Sequence, residues 1–263
     1  MVPTASIVIM LVNAVIGIVL PVWLAWWMVR KHNAKWSTIL IGAATFFVFA
    51  LILEPIVHQI VLRGPSGETI QGNTRYYALY GGLMAGLFEE TGRFLSMKFL
   101  MKKEPSKTLP ALAYGVGHGG LEVILVFAIT MISQAVMALL INAGKVDLLT
   151  AKAPAEAMAQ LDTMVTQLET SSPAAFLLGL WERVSAVILH LSLSVLVWVA
   201  VRKAGKWIWL YPAAILLHAL VDGLAVILSK SAGTVTIECI ILSMAIAIAA
   251  IAWMVARKGF ANN

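Results

Sequence analysis

Seven long apolar stretches follow one another along the chain and limit its fold more than any other feature. Each is near or above the roughly 20 residues that cross a bilayer as a helix. They cover residues 6–30, 37–62, 76–101, 109–141, 173–202, 207–228 and 235–256. We therefore predict an all-α protein, a polytopic transmembrane helical bundle of about seven spans that forms one membrane domain over residues 1–263.

The composition of the chain agrees with a membrane protein. Hydrophobic residues make up 60% of it and charged residues only 12%, whereas a soluble domain has about 25% charged residues. So little polar surface cannot cover a globule in water. Membrane lipid is therefore predicted to be the main solvent. We expect the membrane to be a bacterial plasma membrane. The net charge of +6 does not indicate nucleic-acid binding, because no soluble module is present to bind one.

Basic residues in the short loops predict the orientation. Most Lys and Arg residues follow the first, third, fifth and seventh stretches, which places them on one side of the membrane. By the positive-inside rule that side is cytoplasmic. The N-terminus is therefore predicted outside and the C-terminus in the cytoplasm.

The largest loop, residues 142–172, lies outside in this topology. Its apolar residues recur at helical spacing between acidic ones, which predicts an amphipathic helix on the membrane surface. The apolar positions are Met158, Leu161, Met164, Val165 and Leu168. Such a helix can be a packing cap or a lid over a cavity, and the pattern does not choose between them.

Ionisable residues inside the apolar stretches point to a site. A charged group at the bilayer centre costs at least about 2.5–3.5 kcal/mol, so buried acids must be paired, protonated or directed into a polar cavity. The acids are Glu54, Glu89, Glu90, Glu122, Glu182, Asp222 and Glu238, and the histidines are His58, His118, His190 and His218. Glu90 and three of these histidines lie at roughly the same depth, 14–18 Å from the cytoplasmic end of four different spans.

The spacing of these residues along each helix suggests their roles. Arg93 follows Glu89 by one helical turn and also lies near the face of Glu90, so one glutamate can pair with it while the other acts as a general base. The spacing leaves open which glutamate does which, and a helix-packing ion pair of Glu89 with Arg93 is the structural alternative.

Two histidines are each followed one turn later by an acid: His118 by Glu122, and His218 by Asp222. Each acid can accept a proton from one imidazole nitrogen, which leaves the other nitrogen as a base or a metal ligand.

These motifs resemble the CPBP superfamily, the group of CAAX prenyl proteases and bacteriocin-processing enzymes. Glu89-Glu90-Thr91-Gly92-Arg93 is similar to its first motif. Tyr114 and His118 are similar to its second motif, with Tyr in place of the usual Phe, and His218 with Asp222 is similar to its third. The whole chain most resembles the YhfC branch, a group of intramembrane metalloproteases in which the Gly-His-Gly-Gly-Leu-Glu stretch is typical.

The resemblance implies peptide-bond hydrolysis within the membrane, on a peptide or membrane-protein substrate. It implies that Glu90 or Glu89 activates water, while His118 and His218 bind zinc or stabilise the oxyanion. Three histidines, His118, His190 and His218, with an open fourth position would suit a catalytic Zn²⁺. A metal-free site, with a glutamate as base and His218–Asp222 as oxyanion support, is the other possibility.

Two other functions fit some of the same features. A proton-coupled transporter also uses buried glutamates and histidines as relays, although no internal repeat is evident in this sequence. A non-catalytic immunity or scaffold membrane protein could share the fold without the reaction.

Overall fold

The computed structural model describes residues 1–146 and 155–260. Within these residues all regular structure is helical, which confirms the all-α class. The helices are α1 (Thr4–His32), α2 (Trp36–Leu62), α3 (Gly67–Gln71), α4 (Thr74–Phe99), α5 (Thr108–Asn142), α6 (Ala155–Thr170), α7 (Pro173–Lys203), α8 (Leu210–Leu228) and α9 (Thr234–Phe260).

Six helices in the described part of the chain are long and apolar enough to cross a membrane: α1, α2, α5, α7, α9, and α8 together with the turn before it. The predicted third span corresponds to α4, which is a continuous helix of 26 residues. Helix α4 is less apolar than these six helices, because the charged residues Glu89, Glu90 and Arg93 interrupt its apolar sequence. The seven-span topology and its orientation therefore stay predictions.

The helices divide between two compact units. Unit 1 consists of Met1–Leu20 with Val123–Arg183, and unit 2 consists of Pro21–Glu122 with Val184–Asn263. All the residues of the predicted site belong to unit 2. The single membrane domain of the sequence-based prediction is not tested by this division.

Unit 1 is tied together by hydrogen bonds between residues far apart in the chain. The Asn142 side chain accepts from the Val2 backbone N–H at 2.8 Å and donates to the Val2 carbonyl at 2.9 Å. The buried Asn13 amide donates to the Phe176 carbonyl at 2.6 Å. These bonds satisfy polar groups that would otherwise be buried alone.

The predicted amphipathic helix of the 142–172 loop corresponds to α6. Leu168 is buried, whereas Met158 at the other end of the helix is exposed. Asp162 is also exposed. Residues 147–154 of the predicted loop lie outside the described residues. A position on the membrane surface stays a prediction.

Helix α7 forms the centre of unit 2 from Val184 onward. Its most apolar segment is 67% buried, against 33% or less for the other five candidate spans. Trp198 is completely buried, and its indole N–H donates to the Lys107 carbonyl at 2.9 Å. Because His190 lies on this central helix, side chains of surrounding helices can reach it.

Helices α4 and α8 pack with their backbones almost in contact. A Cβ atom on Gly82 would clash with the carbonyl oxygen of Ala219, and one on Gly86 would lie 2.5 Å from the carbonyl oxygen of Ile215. Small residues allow such close approach in membrane helices. The order of these contacts makes the two helices antiparallel.

Helices α2 and α5 are joined in the same way. A Cβ atom on Gly117 would clash with the Ile39 carbonyl oxygen, and one on Gly42 with the Tyr114 carbonyl oxygen. This contact fixes the part of α5 that carries His118.

Two helices contain π-helical segments beside ionisable residues. The segment Phe49–Leu53 in α2 comes directly before Glu54, and the segment Val123–Ala128 in α5 comes directly after Glu122. A π turn changes the angle at which neighbouring side chains leave the helix, and such turns are frequent at functional sites.

The glycine contacts can be tested with adjacent positions. We expect Gly82→Ala to lower the free energy of unfolding by about 1–3 kcal/mol, because its methyl group must push α8 away. Thermal unfolding in detergent, followed by tryptophan fluorescence, measures the change. Gly81→Ala is the matched control, because a Cβ atom there meets nothing within 4 Å. Equal melting temperatures for the two variants would show that the close contact is not required.

Candidate metal and catalytic site

The structure brings the predicted site residues together within unit 2. They come from four helices: Glu89, Glu90 and Arg93 from α4, His118 and Glu122 from α5, His190 from α7, and His218 and Asp222 from α8. Most of them are buried, although Asp222 keeps 40% of its side-chain surface exposed. The site therefore lies among the helices and opens on the side of Asp222.

Glu89, His118 and His190 form a compact group that can hold a metal ion. Glu89 Oε2 lies 2.8 Å from His118 Nε2 and 3.7 Å from His190 Nδ1. One ligand atom from each residue lies within 4.8 Å of the other two. The ring centroids of the two histidines are 5.1 Å apart.

The spacing and chemistry of this group fit a divalent metal. Ligand atoms about 2.0–2.2 Å from a tetrahedral zinc ion lie about 3.4 Å from one another. The distances from Glu89 Oε2 to the two imidazole nitrogens, 2.8 and 3.7 Å, lie on either side of this value. His118 Nδ1 is buried and has no hydrogen-bond partner among the described residues, so Nε2 is the nitrogen directed at the group.

Glu90 forms a separate, fully buried ion pair. Its Oε1 atom accepts from Arg93 Nη1, and His218 Nδ1 lies 2.9 Å from the same oxygen. Neither Glu90 nor Arg93 has any exposed surface. The packing ion pair considered for Glu89 is thus formed by Glu90, while Glu89 faces the histidines.

The contacts of Arg93 and Glu122 indicate the tautomer of the neutral His190 ring. Arg93 Nη2 lies 3.1 Å from His190 Nδ1, and because an arginine is always protonated, Nδ1 must accept. The hydrogen of the neutral ring is then on Nε2, which lies 2.5 Å from Glu122 Oε2.

The structure gives Glu122 a contact with His190 that the sequence-based prediction, which paired it with His118, did not include. The i,i+4 spacing puts the two residues on one face of α5, but His190 on α7 is within reach of that face. A contact between helices thus brings this carboxylate to a histidine that spacing along α5 does not identify.

His218 lies next to the group of Glu89, His118 and His190 but is not part of it. Its Nδ1 faces Glu90, and its Nε2 lies 3.5 Å from Asp222 Oδ2. Its ring centroid is 5.4 Å from that of His190. The group therefore contains Glu89 where the predicted three-histidine set contains His218.

Two aromatic side chains pack against the ring of His118, and the sequence did not predict these contacts. Phe46 packs edge-on against its ring at a centroid distance of 5.3 Å, and Tyr114 stacks at 5.9 Å. The Tyr114 hydroxyl accepts from Ser96 Oγ at 3.2 Å. Tyr114 belongs to the predicted second motif, whereas no local pattern identifies Phe46.

The fold and the site together define an integral membrane protein of helical type with a buried Glu/His/His group able to bind a metal. The model of the YhfC intramembrane metalloprotease family matches residues 16–251, and the chain belongs to this family. The uncharacterized membrane protein YhfC of Bacillus subtilis (strain 168) is 37% identical to it over 260 residues, which cover 98% of each chain. No solved structure matches the chain.

Glu90 should matter more for stability than Glu89. We expect Glu90→Gln to lower the free energy of unfolding by about 3–5 kcal/mol, because it leaves the Arg93 charge buried without a counter-ion. The melting temperature in detergent reports this loss. Glu89→Gln is the control and should have a smaller effect, since it leaves the ion pair intact. If the two variants melt at the same temperature, the ion pair is not the stabilising element.

Proposed function

We propose that this protein is a metal-dependent intramembrane peptidase that hydrolyses a peptide bond of a membrane-protein or peptide substrate. The observation that supports it most is the buried group of Glu89, His118 and His190, within a chain that belongs to a metalloprotease family. The three side chains are buried among the helices, so a substrate would have to reach them between the helices.

We infer that Glu89, His118 and His190 hold the metal, and that it is Zn²⁺. One carboxylate and two imidazoles with an open position are a ligand set found in catalytic zinc sites. When bound, zinc would supply a polarised carbonyl group and a water molecule with a lowered pKa. Glu89 thus takes the place of His218 in the predicted metal set.

Glu90 and Arg93 act as positioning residues in this proposal. Arg93 donates to Glu90 and to His190 Nδ1. A metal bound through Nδ1 would replace the second of these bonds and leave the ion pair with Glu90 in place. A buried carboxylate that is already committed to Arg93 is a poor proton acceptor. Glu90 is therefore not the general base.

We assign the proton-carrying role to His218. When its ring is neutral and Nδ1–H donates to Glu90 at 2.9 Å, the lone pair on Nε2 can take a proton from the attacking water and return it to the leaving amine. Asp222, 3.5 Å from Nε2, would stabilise the imidazolium in between. Glu122 keeps the tautomer of His190 fixed from the other side.

A metal-free version of the reaction remains the alternative of the same class. In it Glu89, which faces His118 at 2.8 Å, takes the proton from water, and His218 with Asp222 supports the oxyanion.

Three sequence motifs support the proposed kinship with the CPBP superfamily. They are the stretch Glu89-Glu90-Thr91-Gly92-Arg93, Tyr114 with His118, and His218 with Asp222.

The proposed topology has seven spans, with the N-terminus outside and the C-terminus cytoplasmic. The antiparallel packing of α4 on α8 supports it, because α4 then crosses inward and α8 outward. The buried ion pair on α4 explains why a spanning helix can have low apolarity: its charges face protein and not lipid.

Removing metal ligands should remove both metal and activity. We expect Glu89→Gln and His118→Ala to lower peptide cleavage in liposomes at least about 100-fold, because each deletes a ligand. Zinc content by mass spectrometry should fall in parallel, and chelation of the unaltered protein should have the same effect. His32→Ala, an exposed histidine, is the control. Full activity with zinc well below one ion per chain would favour the glutamate-only reaction.

The topology can be measured with single cysteines in a Cys239→Ser background. An impermeant maleimide applied to intact cells should label Glu68→Cys, in the predicted outer loop, and not Lys103→Cys, in the predicted cytoplasmic loop. Both positions are exposed. The opposite labelling pattern would reverse the orientation, and labelling at both positions would contradict a crossing by α4.

A further inference from the structure

A second group of polar side chains in unit 2 lies outside the proposed reaction. His58 Nε2 lies 3.1 Å from Glu54 Oε1, and His58 Nδ1 lies 2.8 Å from the Tyr80 hydroxyl. When Glu54 is ionised, Nε2–H donates to it and the tyrosine O–H donates to Nδ1. The three side chains therefore form one hydrogen-bonded chain between α2 and α4.

This chain lies toward one common end of the helices. The end of α2 at Leu62 and the start of α4 at Thr74 are linked by the short helix α3. The antiparallel contact places the end of α8 beside the start of α4. His58 and Tyr80 are within two helical turns of that end, and Glu54 lies one turn deeper than His58.

Polar groups of the candidate site lie in the neighbourhood of this chain. Glu54 interacts electrostatically with Glu89, His218 and Asp222. Asp222, within two turns of the end of α8, in turn lies 3.5 Å from His218 Nε2. Polar groups thus follow one another in depth from the helix ends to the proposed proton carrier.

Exposure along this path differs from exposure in the site itself. The side chains of Asp222 and His58 are 40% and 31% exposed, whereas Glu90 and His118 have no exposed surface. A carboxylate with this much accessible surface inside a span cannot face hydrocarbon without a large cost. Water is therefore the environment in which the accessible surface of Asp222 and His58 costs least.

We propose that Asp222, Glu54, His58 and Tyr80 line a water-filled crevice that opens at the shared end of α2, α4 and α8. Its role as a supply route rests on the proposed function: each hydrolysis consumes one water, whose hydroxyl joins the acyl carbon while its proton goes to the leaving amine. In the proposed topology the crevice opens to the outer face. The crevice itself follows from exposure and charge, independently of any reaction.

Cysteine accessibility tests the crevice without relying on activity. Single cysteines replace His58 and Asp222 in full-length Cys239→Ser protein, in right-side-out and inverted membrane vesicles. The probe is a membrane-impermeant trimethylammonium methanethiosulfonate, which reacts with the thiolate in water. Leu220→Cys and Ile56→Cys are the controls, because both native side chains are more than half exposed and lie on the same two helices at similar depth.

We expect His58→Cys and Asp222→Cys to react at least about 10-fold faster than the two controls, from one side of the membrane only. Tyr80→Cys repeats the test if Asp222→Cys does not fold. Attachment of the probe at position 58, outside the catalytic group, should then lower peptide cleavage by closing the route.

The outcomes separate the crevice from the proposed reaction. Reaction of all positions as slowly as the controls, from both sides, would overturn the crevice even if cleavage is observed. Fast one-sided reaction in a protein that hydrolyses no peptide would support the crevice and contradict the proposed peptidase. Fast reaction with undiminished cleavage after labelling would contradict the role in water supply.

Discussion

The buried ion pair between Glu90 and Arg93 is the interaction on which the rest of the site depends. Arg93 donates to both Glu90 and His190 Nδ1, and Glu90 also accepts from His218. One guanidinium and one carboxylate thereby connect α4, α7 and α8. A charge without a partner at this depth would cost more than most single interactions contribute to a folded protein. The folded state therefore requires these three helices to be packed in one arrangement.

The glycines explain how the helices come close enough for that arrangement. An arginine and a glutamate on the same helix pair easily, but contact with His218 requires α8 to approach α4 closely. Gly82 and Gly86 permit it, because they leave the backbone carbonyls of α8 in direct contact with α4. Lipid gives little drive for apolar helices to associate, so close packing and hydrogen bonds between helices must stabilise them. The small residues and the buried charges thus serve the same contact.

The position of a residue along its helix could be predicted from the sequence, whereas its direction around the helix could not. The position of Glu90, His118, His190 and His218 along their spans follows from counting residues, since the helical rise is constant. Which neighbour each side chain meets depends on the rotation and packing of the helices. The contact of Glu122 with His190 on another helix could therefore not be predicted, nor could the grouping of Glu89 with His118 and His190. The π-helical segments add to this, because an irregular turn changes direction without leaving a sequence pattern.

The position of Arg93 also affects how tightly the proposed site can bind a metal. A neutral imidazole has a single lone pair. His190 Nδ1 already directs its lone pair at Arg93 Nη2, 3.1 Å away. A metal that binds through Nδ1 must compete with that hydrogen bond, so its affinity depends on how well Arg93 is satisfied elsewhere. Glu90 offers that satisfaction through a contact that metal binding at Glu89 would leave intact. The division of labour between two adjacent glutamates, one for the arginine and one for the histidines, therefore follows from their different directions on a single helix turn.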